Sequence, residues 1–455
     1  MFNKNSKEFM QVLVNHLKST GFIFQGSEIY GGLSNTWDYG PLGSLLKDNI
    51  KQIWKTEFIL KETNNFLIDS KVLMNPKVWE TSGHVGNFND PLIENKVNGK
   101  RYRADKLINE INSNIIPEQL SNDQMREYLN QNLPEYDGCK AQWSEIKQFN
   151  LMFETAQGVI EGNKSKIYLR PETAQGIFIN FKNVQRTTRA KLPFGIGQVG
   201  KSFRNEVTPG NFIFRTREFE QMELEFFSYP EHAPKWFDYY IQKSMKLIKK
   251  LGITKENVRI REHSPEELAH YSDATTDIEF LFPFGWGELL GVANRTDFDL
   301  RAHMQASGES LEYLDPETNT KLIPYVIEPS IGLDRLMLAI LVNCYDVEKV
   351  TESDERIVLR FPKEIAPYKV AVLPLVKKLS EKALKIYHQL IDLGISTSYD
   401  ESGSIGKRYR RNDAIGTYWC LTVDHQSLED ATVTLRNRDT MEQFRILIEQ
   451  INEYI

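Results

Sequence analysis

Cysteine is scarce in this chain of 455 residues, which has three: Cys139, Cys344 and Cys420. So few, so widely spaced and odd in number, they exclude a disulfide scaffold and predict reduced thiols in an intracellular, cytoplasmic protein. Charge of one sign is also missing. Lys and Arg number 56 against 62 Asp and Glu, a net −6, so a polyanionic partner must be met by local basic patches. Long apolar runs are absent. The longest, Leu336 to Tyr345, is broken at Asn343 and is too short to cross a bilayer. The opening MFNKNSKEFMQVLVNHL lacks the apolar core and small-residue cleavage site of a secretory leader. No internal repeat or low-complexity tract is present. With 40% hydrophobic and 26% charged residues the chain supports a large core, and its length suggests two to four domains.

The periodicities place the elements. Phe9, Leu13 and Leu17 predict a helix over Lys7 to Thr20, stopped by Gly21. Phe22 to Tyr30 reads as a short strand, and the turn Tyr39-Gly40-Pro41-Leu42-Gly43 leads into a long helix striped by Leu46, Ile50, Ile53, Trp54 and Phe58. Residues 100–148 are rich in Asn, Gln and Glu, carry a capping-box pattern at Ser121 and Gln124, and predict a polar helical insert. Lys166 to Arg170 reads as a strand, with a helix opened by Pro171. Phe194 to Val207 and Arg217 to Tyr229 read as a hairpin around Thr208-Pro209-Gly210-Asn211. In its second strand Met222, Leu224 and Phe226 alternate with Phe219, Gln221, Glu223 and Glu225, which puts the first set in the core and the second on a polar face. A strand over Leu322 to Glu328 runs into an apolar helix near Ser330. From about 361 the pattern restarts as alternating strands and helices, a small α/β unit behind a mixed antiparallel body.

Two clusters carry chemistry. Arg204-Asn205-Glu206 ends one hairpin strand and Arg215-Thr216-Arg217-Glu218-Phe219 opens the other. A guanidinium, a carboxylate and an aromatic ring on one open sheet face suit a nucleotide, taking phosphate, exocyclic amine and base in turn. A solvated face with ion pairs fits the spacing equally well. In Glu328-Pro329-Ser330-Ile331-Gly332-Leu333-Asp334-Arg335, a strand delivers Glu328, Gly332 permits close backbone approach, and Arg335 leads an otherwise apolar helix. The eight histidines show no HxxH or HxxxH pair, so nothing suggests catalytic zinc.

Taken in order, the Pro41 turn with its long helix, then FRNE and RTREFEQMELEFF, then EPSIGLDR, resemble the three signature motifs of class II aminoacyl-tRNA synthetases. GFIFQGSEIYGG, WDYGPLG, FNLMF, LRPETAQGIF, WGELLGVANRTDFDL and GSIGKRYRRNDAIGTYWCLTVD are similar to the dimeric type of the glycyl-tRNA synthetase family. The resemblance spans nearly the whole chain except the insert. It implies an α+β fold, with a class II antiparallel-sheet catalytic domain flanked by helices over 1–360 and a C-terminal α/β anticodon-binding domain over 361–455. It implies attachment of glycine to tRNA(Gly) through ATP-dependent glycyl-adenylate formation. A catalytically inactive relative that binds nucleic acid, and a class II enzyme for another amino acid, are the alternatives. Retention of Arg204, Glu206, Arg215, Glu288 and Arg335 speaks against the first, and the glutamate-lined pocket speaks against the second.

The resemblance also assigns residues. Arg204 and Arg335 are the expected catalytic arginines. ATP falls to Arg204, Asn205, Glu206, Phe214, Arg215, Thr216, Arg217, Glu218, Phe219, Glu288, Leu289, Gly332, Leu333, Asp334 and Arg335, with Glu288 also the expected Mg²⁺ contact. Glycine falls to Arg103, Glu172, Phe219, Glu220, Gln221, Met222, Glu223, Glu328, Pro329, Ser330, Ile331 and Gly332. The long helix behind Pro41 is the family's dimer element, implying a homodimer. Within the C-terminal unit 13 Lys/Arg balance 13 Asp/Glu, but Lys407, Arg408, Arg410 and Arg411 cluster around Tyr409 as candidates for tRNA. Many relatives carry paired cysteines flanking the insert. Here Asp90 to Arg103 has none and Cys139 stands alone, so no structural zinc is expected. Cys344 and Cys420 are expected in the core. His84 and His303 are read as polar surface or as support behind a site.

Overall fold

A computed structural model describes residues 4, 6–112, 115–158, 165–269 and 271–455, so the opening segment read for a leader lies partly outside it. Helix α1, Lys7–Thr20, begins where Ser6 Oγ accepts the Phe9 N–H and ends at Gly21 with φ 81°, the left-handed stop a glycine supplies without steric cost. It buries Phe9, Leu13 and Leu17. The segment read as one strand from Phe22 divides into a short strand, Ile23–Gln25, and a 3₁₀ turn, Glu28–Tyr30. Helix α2, Pro41–Lys55, carries Pro at its first turn and buries Leu42, Leu46, Ile50 and Trp54. Strand β1, Asn65–Leu67, follows.

The polar insert is not a purely helical one. It starts earlier, with β2 (Asn89–Asn95), β3 (Lys100–Arg103) and later β4 (Lys147–Asn150) in a three-stranded sheet of order β3-β2-β4. On it sit α3 (Ala104–Ile111) and α4 (Asn122–Asn132), the latter with the expected capping box at Ser121 and Gln124. Ile93, Leu107, Ile108, Met125, Leu129 and Trp143 give it its own small core. Sparse apolar residues sufficed because most of them are placed inward.

Two short helices, α5 (Ala174–Phe178) and α6 (Phe181–Thr188), precede the central hairpin, β5 (Phe194–Phe203) and β6 (Glu218–Ser228). Helix α7 (Ala233–Lys250), strands β7 (Val258–Glu262), β8 (Ala274–Phe282) and β9 (Gly285–Thr296), helix α8 (Phe298–Ser307), strand β10 (Tyr325–Gly332) and helix α9 (Leu333–Cys344) complete the body. Its sheet has the order β7-β8-β9-β10-β6-β5-β1, antiparallel except for the β5–β1 edge. The strand expected to stop at Glu328 therefore runs on to Gly332. One face of the sheet packs Met222, Leu224 and Phe226 against α7 and the largely apolar α9. Each such side chain contributes about 1.5–3 kcal/mol of burial free energy.

The hairpin β11 (Tyr345–Thr351) and β12 (Asp354–Leu359) leads to the C-terminal unit: β13 (Val370–Pro374), α10 (Ser380–Asp392), β14 (Thr397–Tyr399), α11 (Ile405–Ile415), β15 (Trp419–Val423), β16 (Thr432–Asn437) and β17 (Gln443–Leu447). Its sheet order is β14-β13-β15-β16-β17, with β13 parallel to both neighbours. The crossover helices that parallel pairing requires are α10 and α11. Cys344 and Cys420 are buried, as expected.

The basic cluster on α11 does not form the exposed patch the sequence suggested. Arg408 is 2% exposed and donates to the carbonyls of Pro374 (2.7 Å), Asp400 (3.1 Å) and Leu375 (3.3 Å). Arg410 pairs with Asp354 and Arg411 with Asp400 at 2.7 Å, leaving Lys407 exposed without an ion pair among the described residues. Helical spacing explains it: Arg408 and Asn412 lie one turn apart on the face that meets β13, so a one-dimensional cluster is scattered around the helix.

Candidate active site

The alternation in β6 decides the site. Phe219, Gln221 and Glu223 point away from the α9 core into one cavity, and Ser330, Gly332 and Glu328 do so from the neighbouring β10. Arg204, Glu206, Phe214, Arg215 and Thr216 close it from the hairpin loop, Glu288 and Leu289 from β9, and Arg335 from the first turn of α9. The polar face is therefore not solvated: Gln221, Glu223 and Glu225 are all buried beneath the cavity and the flanking helices.

One end of it is cationic. Arg204 lies between the rings of Phe88 and Phe219, 5.4 and 5.3 Å from their centroids, and its Nε donates to Pro171 O at 3.1 Å. Arg335 stacks on Phe214 and donates to the Glu288 carboxylate at 2.9 Å. Glu206 Oε2 is buried with no hydrogen-bond donor among the described residues, though Arg215 lies 3.5 Å away. A buried acceptor left open beside an aromatic ring is what an exocyclic amine would satisfy.

Its other end is acidic. Glu223 is fully engaged: Oε1 accepts from Ser330 Oγ (2.6 Å) and Gln221 Nε2 (2.7 Å), and Oε2 accepts from the Thr173 N–H (3.0 Å) and hydroxyl. Glu172 accepts from Gln175 Nε2 at 3.0 Å and faces His84 Nε2 at 3.3 Å. Glu328 meets Arg295 at 2.5 Å, and Arg295 is itself clamped by Asp299 at 2.8 Å. Burial pushes the Glu328 carboxyl up to about 8 against the pull of Arg295, with Glu223 and Glu172 adding to the rise. Glu172 moves the other way: burial opposes it, but His84 and Arg295 hold it well below the usual carboxylate range. Glu225, fully buried with neither oxygen partnered among the described residues, is pushed well above its ordinary value by burial and by Glu328. One arginine serves Glu328, Asp299 and Glu225 together, and the crowding of these acids favours a proton on the cluster over full ionisation.

Several expected residues lie elsewhere. Arg103 does not line the cavity; it is held by Asp90 (3.0 Å) and Asp105 (2.5 Å). Glu220, Met222, Pro329, Ile331 and Leu333 alternate onto the opposite face or into the core, where Glu220 pairs with Lys47 at 2.9 Å. Asp334 reaches the cavity wall, but its carboxylate is taken by the Glu220 N–H (2.7 Å), Lys47 (3.1 Å) and the Tyr39 hydroxyl. Asn205, Arg217 and Glu218 line the adjoining groove on the other side of Phe219, with Glu218 on Lys201. Residues the sequence reading passed over stand directly behind the pocket: Thr173, Gln175, Arg295 and Asp299. The only hint of the last two was their (i, i+4) charge spacing within ANRTDFDL. His303, 2.7 Å from Gln175, and His84 both buttress the site rather than face solvent.

Among the described residues no three metal-ligating side chains gather. Magnesium carried on a nucleotide needs only one or two carboxylates, and Glu288 at the cationic end fits that donor set.

Residues 153–344 match the family model of the tRNA synthetase class II core domain (G, H, P, S and T), and 369–455 match the anticodon binding domain. The chain is 64% identical over 446 residues to the glycine–tRNA ligase of Mycoplasmopsis synoviae, covering 98% of this chain and 99% of the relative. It is 57% identical over 455 residues to that of Acetivibrio thermocellus, 98% of each. It is 56% identical over 454 residues to that of Staphylococcus aureus, again 98% of each.

Proposed function

The chain belongs to the glycine–tRNA ligase family, and from that premise we propose how its cavity performs the reaction. It is a class II aminoacyl-tRNA synthetase that joins glycine to tRNA. The observation that carries the assignment of residues is the meeting, in one cavity, of Arg204, Glu206 and Phe219 with Glu172, Glu328 and Ser330. ATP lies with its adenine on Phe219, its amino group on the open Glu206 oxygen, its α-phosphate on Arg204 and its outer phosphates on Arg215 and Arg335. Glycine sits beside it, with its ammonium towards Glu172, Glu328 and Gln221 Oε1, which has no hydrogen-bond partner among the described residues. The glycine carboxylate is ionised at neutral pH, so no side chain need act as base. Its oxygen bonds to the α-phosphorus, and the bond to the leaving pyrophosphate breaks. The arginines stabilise charge on the phosphoryl oxygens in place. Mg²⁺, held through Glu288, supplies further charge neutralisation when bound. Glycine-dependent ATP–pyrophosphate exchange tests this reading, and its absence would defeat it.

Ser330 guards the side where a methyl group would point. Ser330→Ala is expected to raise alanine-dependent exchange relative to glycine about tenfold or more, the scale on which one methyl is discriminated. An unchanged ratio would show that the steric wall stands elsewhere. The protonated cluster gives a second expectation. Bound ammonium favours ionised Glu328, whose value near 8 means that below that pH glycine must displace a proton. The KM for glycine should therefore fall as pH rises from 6 towards 8, by up to about tenfold per unit. A flat profile over that range contradicts the arrangement.

We further propose residues 1–360 as the catalytic unit and 361–455 as the part that reads the anticodon, with Lys407 and the outer face of α11 towards tRNA. A homodimer is supported by Ile29, Tyr30 and Leu33, exposed in the turn that precedes α2. A cytoplasmic location is supported by three free thiols. No helix among the described residues is long and apolar enough to cross a membrane.

A further inference from the structure

The cavity wall across from Glu223 carries a polar group that neither ATP nor glycine accounts for. Just beyond β7 the backbone N–H of His263 donates to Thr275 O at 3.0 Å, which holds the residue against β8. There Nε2 lies 2.7 Å from Asp277 Oδ2. Arg261 backs the pair, meeting Asp277 at 3.4 Å and Glu267 at 2.8 Å. The ring's hydrogen-bond contacts all run through Nε2, so Nδ1 has no partner among the described residues. His263, Glu267, Tyr271, Thr275 and Asp277 all line the same cavity as Ser330.

Sheet register gives the distance. Asp277 pairs with Gly291, and Gly291 with Ser330, so at about 4.8 Å per strand the two side chains stand roughly 10 Å apart. Gly291 leaves the floor between them bare; a Cβ there would meet nothing nearer than Asp277 Oδ1 at 3.5 Å. Charge decides what enters this lane. Two carboxylates, Asp277 and Glu267, stand there against one guanidinium, which disfavours a phosphate, and the arginines that suit phosphate lie at the other end. A neutral, hydroxyl-rich group such as a ribose fits.

We propose that His263 is the general base for transfer of glycine to tRNA, taking the proton of the terminal ribose hydroxyl, with Asp277 as its positioning residue. The hydroxyl O–H bond breaks and its proton passes to His263 Nδ1. The oxygen bonds to the glycyl carbonyl carbon, the bond from that carbon to the adenylate oxygen breaks, and AMP leaves with the electron pair. The inference rests on the reading that this cavity makes glycyl-adenylate. The hydrogen bond to Asp277 raises the imidazole above its ordinary value, with burial and Arg261 opposing, and stabilises the imidazolium that forms when the ring takes a proton. The charged groups facing it are Arg261 from β7, Asp277 from β8, Glu267 from the loop between them, and more distantly Glu288 from β9.

The test separates the two half-reactions. Glycyl-adenylate is formed on the full-length enzyme from ATP and glycine, isolated, and mixed with a glycine-accepting tRNA by rapid quench; exchange is measured alongside. His263→Gln should slow single-turnover transfer about 10²-fold more than it slows exchange, the usual scale of one general base. Asp277→Asn should shift the pH midpoint of transfer downward, because it removes the group that raises the imidazole. Transfer at the wild-type rate in His263→Gln overturns the proposal. So does an equal loss in both half-reactions, which would place His263 in activation or in folding. A wild-type enzyme that makes no glycyl-adenylate would instead fail the underlying reading, and the inference with it.

Discussion

Arg204→Ala is expected to lower glycine-dependent ATP–pyrophosphate exchange by about 10²–10³-fold, the loss seen when one preorganised donor to a developing oxyanion is removed. The arginine is preorganised here in a literal sense. Its guanidinium lies close to the rings of both Phe88 and Phe219, its Nε is anchored on Pro171 O, and the residue lines the cavity. Nothing in the apolar core depends on it, so thermal stability should change little. Lysine should rescue poorly, because a single ammonium cannot hold the stacked, forked geometry. Near-normal exchange in the alanine variant would remove Arg204 from the phosphate site.

The second large effect is on stability. Asp413 on α11 has no exposed surface, yet it binds two arginines: Arg356 of β12 at 2.9 Å, and Arg436 of β16 through both oxygens at 2.7 and 3.0 Å. Arg356 in turn holds Glu348 at 2.6 Å and the Arg438 carbonyl at 2.8 Å, and Arg438 donates to Phe361 O and Gly416 O. This network fastens the C-terminal unit to the β11–β12 hairpin. Asp413→Ala strands two buried guanidinium groups and should cost roughly 3–5 kcal/mol. The loss should appear as a lower midpoint in urea unfolding of the full chain. Pyrophosphate exchange, carried by residues of the other unit, should persist in the folded fraction. An unshifted midpoint would show that solvent or rearranged partners already satisfy these arginines.

The contrast between these two residues shows what could be read from order alone. Arg204, Glu206 and Phe219 were legible because a hairpin and a period of two fix which side chains share a face, and their motifs are long. The glycine set implied by the resemblance took a continuous run of this strand: Glu220 and Met222 sit between Phe219 and Glu223 in sequence, but alternation turns them to the Lys47 side and into the core. The polar face was legible as polar but not as buried, since its covering comes from Thr173 and the short helices after it, far away in the chain. Arg295, Asp299 and His263 left almost no mark. A lone charged residue in or beside a strand acquires meaning only when register sets Asp277, Gly291 and Ser330 in one row. Arg408 failed for the opposite reason: four cations within five residues look like a patch until a 3.6-residue turn distributes them, one into the interior. The Asp413 network was invisible because its members come from four separate elements.

The most direct measurement is a crystal structure of the enzyme with a non-hydrolysable glycyl-adenylate analogue. The expected density has adenine against Phe219, the phosphate surrogate within hydrogen-bond distance of Arg204, and the ammonium touching Glu172 or Glu328 with Ser330 closing behind the α-carbon. An analogue bound outside this cavity, or one whose ammonium meets none of those carboxylates, would contradict the account.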